Sequence, residues 1–191
     1  MQVKLLAVKG SWRQVADAAR TTVHKEPGTG EPSSEWKRKI LLAEHSPIRK
    51  IIISWKWTDL PWWVQTHFTR HHVGVEWFVR TSRSDRTGVD RSTVGQDALI
   101  EVEGEANAQA IISISRKRLC RLASPETREA WQAFLETIRD IEPELYSVCV
   151  PECVYRGFCP EINSCGRTEW GYEEFKKELV RYRTGLEEVT A

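Results

Sequence analysis

The sequence predicts a single-domain α/β fold in which strands and amphipathic helices follow one another along the chain. Segments rich in β-branched and aromatic residues, such as Ile51–Trp57, are typical of strands. Apolar residues three or four positions apart, as from Trp12 to Val23, are typical of helices that bury one face. The length of 191 residues is sufficient for one domain with its own hydrophobic core.

Strands are expected at three places, residues 2–9, 51–57 and 98–103. The first and last of these alternate polar with apolar residues, which predicts strands with one buried face. The middle one is β-branched and aromatic, which also predicts a strand. Residues 73–81 fit either a strand or a helix.

Helices are expected at six places, residues 12–23, 36–42, 61–71, 108–122, 124–141 and 172–186. Asn107 and Ser124 are favourable N-cap residues, and Pro61 and Pro125 fit a first helical turn. Three connecting segments rich in polar residues, glycine or proline are expected to be loops: 25–34, 85–97 and 149–166. The loop at 85–97 is expected to be mobile.

The overall charge and hydropathy argue against two classes of partner. A net charge of +1 gives no bulk attraction to nucleic acid or to a membrane surface. No apolar run approaches the roughly 20 residues that span a bilayer, and the apolar stretch at the start is too short for a signal peptide. A reducing cytoplasm is the expected location, in which the five cysteines are thiols or metal ligands.

Four of the cysteines fall close together in one predicted loop. Their positions are Cys149, Cys153, Cys159 and Cys165. Four thiols could close a tetrahedral zinc site, although the spacing lacks a Cys-x2-Cys pair. Four reduced thiols and an iron–sulfur cluster are the alternatives. The fifth, Cys120, is expected to be a core residue.

The nine tryptophans are also unevenly distributed, because five of them fall between Trp55 and Trp77. Core packing explains most of them, and an aromatic wall for a flat heterocycle is the alternative. In the same part of the chain, residues 70–91 carry a local excess of arginine within a neutral protein. Arginine presents a fixed fork of donors that matches phosphate oxygens, so this segment predicts a site for a small phosphorylated ligand.

The arginine-rich segment resembles the signature of the flavin-dependent thymidylate synthases. That signature reads Arg-His-Arg followed by Glu-x-Ser-x-Arg, and it is matched here by Arg70-His71-His72 and Ser82-x-Ser84-x-Arg86. The chain departs from it at His72 and at Ser82, and the second part lies four residues later than in the family.

Further pieces of the family pattern occur in the same order over residues 15–130. They are Ala19-Arg20-Thr21-Thr22, Ser46-Pro47, His67 in place of a Gln, Asn107 with Arg118 eleven residues later, and Ala123, Glu126 and Arg128. Each motif is weak by itself, and their common order is what carries the resemblance.

The resemblance implies a twisted sheet with helices, assembled as a homotetramer with active sites between subunits. It implies reductive methylation of dUMP to dTMP, with the carbon from methylenetetrahydrofolate and the hydride from FAD that NADPH has reduced. The implied FAD-binding residues are Thr22, Ser46, Arg70, His71, His72 and Asn107. The implied nucleotide-binding residues are His67, Ser84, Arg86 and Arg118, of which Arg118 also polarises the uracil ring.

Two other functions stay open at this point. One is a related flavin- and folate-dependent hydroxymethylase, which the altered positions His67, His72, Ser82 and Gln109 favour. The other is a nucleic-acid binding module that zinc stabilises. The neutral overall charge of the chain argues against this function. The expected organisation is a synthase-like domain at 1–145, with the cysteine loop and last helix at 146–191 packed on it.

Overall fold

The computed structural model describes residues 1–185, which contain four strands and nine α-helices. The strands form one antiparallel sheet in the order β1-β2-β4-β3, so β1 and β3 are its edges. The strands are β1 (Gln2–Lys9), β2 (Ile52–Pro61), β3 (Val75–Val79) and β4 (Leu99–Asn107).

Helices connect the strands and make up most of the second half of the described chain. They are α1 (Trp12–Thr21), α2 (Ser34–Leu42), α3 (Trp62–Phe68), α4 (Ser84–Thr87), α5 (Ala108–Arg118), α6 (Pro125–Ile138), α7 (Pro143–Val148), α8 (Glu152–Arg156) and α9 (Tyr172–Thr184). Two 3-10 turns, Ser46–Lys50 and Arg91–Thr93, complete the secondary structure of this region. No helix among residues 1–185 is long and apolar enough to cross a membrane.

The chain folds into two compact units. The sheet unit contains Met1–Glu31 and Ser46–Ala110, and therefore all four strands. The helical unit contains Pro32–His45 and the residues from Ile111 onward. The division into residues 1–145 and 146–191 stays a prediction.

A cluster of aromatic side chains forms the core of the sheet unit. Trp55 and Trp57 on β2 are fully buried, and their rings meet edge to face at 5.5 Å. Trp57 also stacks on Phe68 of α3 at 4.7 Å, and Trp77 of β3 meets Trp55 edge to face at 5.6 Å. These rings hold α3 and β3 against β2, and core packing is thus the role of three of the five clustered tryptophans.

Gly104 makes room for this cluster on β4. A Cβ atom at this position would lie 2.5 Å from Cζ2 of Trp55, closer than non-bonded carbon atoms approach. The absence of a side chain at Gly104 therefore lets a large indole pack flat against the neighbouring strand. On the other face of β2, the buried Ser54 hydroxyl donates to Glu105 at 2.6 Å, and Lys9 of β1 donates to the same carboxylate at 2.6 Å.

The helical unit has a buried polar pair at the centre of its core. Trp131 of α6 and Ser115 of α5 are fully buried, and the indole N–H donates to the serine hydroxyl at 2.8 Å. At the edge of the core, the guanidinium of Arg116 pairs with Glu44 and lies 3.5 Å from the ring centre of Tyr155. Arg116 is therefore held by structural contacts within this unit.

The predicted elements compare closely with the observed ones. The predicted starts are confirmed at α5, where the Asn107 side chain accepts from the Ala110 N–H at 3.0 Å, and at α6, where the Ser124 hydroxyl caps the first turn. Residues 73–81 contain strand β3, and strand β4 extends to Asn107, further than residue 103. The predicted loop at 85–97 contains the end of α4 and a 3-10 turn, and the cysteine loop contains α8.

Candidate functional site

The predicted cationic motif lies in the tight connection between α3 and β3. The backbone N–H of His71 donates to Phe68 at 2.9 Å, and the indole N–H of Trp77 donates to the His71 carbonyl at 2.8 Å. Arg70 and His72 are exposed, and His71 is half-buried. The connection is therefore anchored through its backbone and its apolar neighbours, while the side chains of Arg70 and His72 face solvent.

Asn107 lies beside this connection, at the end of the neighbouring strand. Its backbone N–H donates to the Gly74 carbonyl at 3.0 Å, and Val75 pairs with Ala106 in the ladder. Gly74 has a φ of 72°, and a Cβ atom there would lie 2.5 Å from Nδ2 of Asn107. The structure thus brings together two predicted parts of the FAD site, the Arg70–His72 segment and Asn107, across a glycine that the sequence analysis missed.

His67 belongs to the same neighbourhood, one helical turn before Arg70. It lies in the last turn of α3, it is half-buried, and its ring meets that of Trp63 edge to face at 5.7 Å. The end of α3 and the residues directly after it therefore carry four titratable or cationic side chains within six residues, namely His67, Arg70, His71 and His72.

Ser84 and Arg86 lie on the four-residue helix α4. The Ser84 hydroxyl accepts from the Arg91 N–H at 3.1 Å, and it retains its own hydrogen for donation. Arg83 forms a two-bond ion pair with Asp85 at 2.7 and 3.0 Å, whereas Arg86 is exposed. The segment is more ordered than the predicted loop, and the side chain of Arg86 faces solvent.

Thr22 and Ser46 are exposed residues at two other points of the sheet unit. Thr22 caps the C-terminus of α1, and its hydroxyl donates to the Ala19 carbonyl at 2.7 Å. Ser46 begins the 3-10 turn that packs against α1. A role in holding FAD stays a prediction for both.

Arg118, the predicted catalytic residue, is the last residue of α5 and is half-buried in the helical unit. Its neighbour Lys117 is exposed and lies 3.7 Å from Glu161 and 3.9 Å from Glu152. Of the three consecutive cations at this helix end, Arg116 has a structural contact and Lys117 faces acidic side chains. A catalytic role for Arg118 stays a prediction.

The four cysteines predicted to bind metal are not brought together as a set. Cys149 is buried beside a cavity of about 570 Å³, and burial raises the pKa of its thiol to about 12. Cys153, Cys159 and Cys165 line a different, smaller cavity, where the fourth thiol is that of Cys120. Among residues 1–185, no group of three or more His, Cys, Asp or Glu side chains is arranged to hold a metal ion.

Comparison with known proteins gives a match in structure but not in sequence. No known protein-family profile matches the chain, and no curated protein matches it by sequence. Two structures of the flavin-dependent thymidylate synthase ThyX from Helicobacter pylori, complexed with FAD and dUMP, match with TM-scores of 0.65 and 0.66. Both matches have 10% sequence identity and extend over 78% of this chain. They include 100% of the first ThyX chain and 99% of the second.

The chain has the fold of the flavin-dependent thymidylate synthases. A third structure supports this, the UMP/dUMP methylase PolB from Streptomyces cacaoi bound with 5-Br dUMP. PolB matches with a TM-score of 0.62 at 12% sequence identity. The match extends over 82% of this chain and 95% of the PolB chain. The resemblance predicted from the ordered motifs is thus confirmed at the level of the fold.

This fold explains how segments that lie far apart along the chain come close together. The end of α3 at Phe68 and the end of β4 at Asn107 are separated by 39 positions in sequence, yet the β3–β4 ladder makes them neighbours. Reading each motif alone could not reveal that proximity. Gly74 and Trp77, which position the Arg70–His72 segment, belong to no motif. The available signal for Gly74 was an isolated glycine near the start of a segment that fits a strand or a helix.

Proposed function

We propose that this chain is a flavin-dependent methylase of a pyrimidine nucleoside monophosphate, and specifically that it converts dUMP to dTMP. The overall reaction would consume dUMP, methylenetetrahydrofolate, NADPH and a proton, and it would release dTMP, tetrahydrofolate and NADP⁺. The observation that carries the proposal is the exposed Arg70–His72 segment, held beside Asn107 on a fold whose solved examples contain FAD and dUMP.

The donor set at this place suits a dinucleotide cofactor. Arg70 offers a guanidinium and His72 an imidazole from a backbone-anchored turn, and both groups bind phosphate or ring oxygens well. Asn107 adds an amide at the adjacent strand end. We assign FAD to these three residues together with His71, Thr22 and Ser46; when bound and reduced, it supplies the hydride of the reaction.

The chain's own residues would position and polarise the nucleotide. Arg86 and the Ser84 hydroxyl would bind the phosphate and the uracil edge, and His67 would contact the nucleotide from the end of α3. Arg118 would place its positive charge where negative charge develops on the uracil ring. No cysteine is assigned a covalent role, because the resemblance implies that no thiol of the enzyme attacks the uracil ring.

Assembly is a further part of the proposal. The edge strand β3 exposes Phe78, and the neighbouring Val73 and Leu99 are also exposed, with relative exposures of 60%, 79% and 61%. Large apolar side chains at a sheet edge favour association with another chain. We therefore propose the homotetramer that the resemblance implies, in the cytoplasm, and light scattering on the purified protein tests it.

Flavin binding is the first experiment. Purified protein is dialysed to equilibrium against FAD, and the absorbance of the retained flavin is measured for wild type and Arg70→Ala. We expect micromolar binding in the wild type and weaker binding in the variant. The matched control is Arg83→Ala, since Arg83 is also exposed in this region but is paired with Asp85. Equal retention by all three proteins, or none by the wild type, would contradict the assignment.

Turnover is the second experiment. Arg118→Ala is expected to lower the rate of dTMP formation by about two to three decades, because one lost charge-assisted bond to a developing anion costs roughly 3 kcal/mol. Lys117→Ala, on the same helix end, is the control and is expected to keep wild-type rates. Mass analysis of the product distinguishes a methyl from a hydroxymethyl group. A wild-type rate for Arg118→Ala would refute this residue's role.

The hydroxymethylase alternative is favoured by the altered motif, in which Ser82 replaces an acid. Loss of that acceptor predicts looser choice of the base, with binding carried by phosphate contacts. Titration calorimetry with dUMP and dCMP should show that Arg86→Ala weakens both, whereas Ser82→Glu separates their affinities. Equal affinities in all three proteins would mean that α4 does not contact the nucleotide.

A further inference from the structure

Four thiols from separate parts of the chain line one small cavity in the helical unit. Cys120 follows the end of α5, Cys153 lies in α8, and Cys159 and Cys165 lie in the segment between α8 and α9. The cavity measures about 10 Å³, which is roughly the space that one water molecule or one ion occupies. Cys149, in contrast, lines the larger cavity and is absent from this one.

These thiols affect one another electrostatically. Burial raises the pKa of both Cys120 and Cys153, and neighbouring thiols of this group raise both further, while the charge of Arg167 lowers that of Cys153. Arg121 and Arg167 also line the cavity, although Arg167 is paired with Glu178.

We propose that Cys120, Cys153, Cys159 and Cys165 bind one thiophilic metal ion, and that zinc is the ion. Four sulfur donors around a site with room for a single ion are the ligand set of structural tetrahedral zinc centres. Each thiol releases its proton to solvent as its zinc–sulfur bond forms, and no electron is transferred. Cys120 thereby replaces Cys149 in the predicted set, and the role of the centre is to fasten the end of α5 to the C-terminal segment.

The described arrangement contains no preformed ligand group, so binding must draw the side chains together. Metal binding that completes a loop contributes directly to folding free energy. Disulfide formation between two of these thiols is the rival outcome.

The test compares the metal content of full-length variants produced in zinc-supplemented medium and dialysed without chelator. Wild type and Cys149→Ala are expected to retain one zinc per chain. Cys120→Ala and Cys153→Ala are expected to retain almost none. Retention by Cys120→Ala together with loss by Cys149→Ala would overturn the proposed ligand set.

A second measurement needs no variant. Cobalt titrated into metal-free wild-type protein is expected to give the sulfur-to-cobalt charge-transfer band and the intense visible bands of a tetrahedral four-thiolate site, and zinc should bleach both. Zinc should also protect the four peptides containing these cysteines from alkylation, while leaving the labelling of Cys149 unchanged. Iron with acid-labile sulfide on the same four residues would overturn the choice of zinc. A disulfide between any two of them, or absence of any bound metal, would overturn the centre itself.

Discussion

Gly74 controls how the predicted flavin-binding segment meets strand β4, and replacing it with alanine tests that role. The residue has a φ of 72°, which alanine adopts at a cost of about 1–2 kcal/mol. The new Cβ would also lie 2.5 Å from Nδ2 of Asn107, so that side chain must move away. Its Oδ1 then loses the hydrogen bond with which it caps α5, a loss of about 1 kcal/mol. We expect Gly74→Ala to lower the free energy of unfolding by about 2–3 kcal/mol.

The chain offers a matched control for the backbone part of this cost. Gly88 has almost the same φ, 73°, and a Cβ atom there would contact nothing within 4 Å. Gly88→Ala should therefore show the cost of the left-handed backbone alone. The difference between the two variants then isolates the displacement of Asn107.

A double-mutant cycle completes the test. Asn107→Ala alone removes the cap, and in its presence the methyl group at position 74 has nothing to displace. The two substitutions should therefore be less than additive, with a coupling energy of about 1 kcal/mol. Urea denaturation followed by tryptophan fluorescence measures all four proteins. Additivity within about 0.5 kcal/mol would refute the proposed contact between Gly74 and the cap.

Three further substitutions test the packing and the charges described above. Gly104→Ala should cost about 1–3 kcal/mol in urea denaturation, because its methyl group would overlap the ring of Trp55. Ser115→Ala should cost about 1–3 kcal/mol, because it leaves the buried indole N–H of Trp131 without its acceptor. Hydrogen bonds from Lys9 and Ser54 lower the pKa of Glu105 in the folded protein. The carboxylate therefore stabilises the fold at pH values above its unfolded-state pKa, and this stabilisation is lost as the pH falls through the lower folded-state pKa. Glu105→Gln should flatten this acidic part of a plot of unfolding free energy against pH, and an unchanged slope would contradict it.

Local signals in the sequence were sufficient for most elements. The cap at Ser124 and the proline after it predicted α6, and the β-branched run at Ile51–Trp57 predicted β2, because both depend on neighbouring residues alone. The segment 73–81 could not be assigned, since its strand forms only through the ladder with β4 and the contacts of Trp77 with distant rings. Tertiary packing decides such a segment, and its own propensity does not.

The candidate site was predictable to the same extent. Motif order predicted that Arg70–His72 and Asn107 belong to one site, and the fold brings the two segments together at Gly74. Their role in binding stays a prediction. The cysteines show the opposite outcome. Spacing grouped Cys149 with three later thiols, whereas the fold groups those three with Cys120, which is about 30 positions away from the nearest of them. The separation of these residues in sequence gave no indication that their thiols line one cavity.

The helical unit draws on both halves of the polypeptide, and this affects the order in which the protein can fold during synthesis. Arg38 of α2 donates to the hydroxyl of Ser147 at 2.6 Å and to the carbonyl of Arg181 at 3.1 Å, which are 109 and 143 positions later. On the ribosome, α2 emerges early and must wait for these partners, whereas every strand of the sheet has been made by residue 107. The sheet can therefore form co-translationally, while the helical unit is completed only near or after chain release. A nascent chain stalled shortly after residue 145 should accordingly contain a protease-resistant sheet unit and an α2 segment that is still open to cleavage.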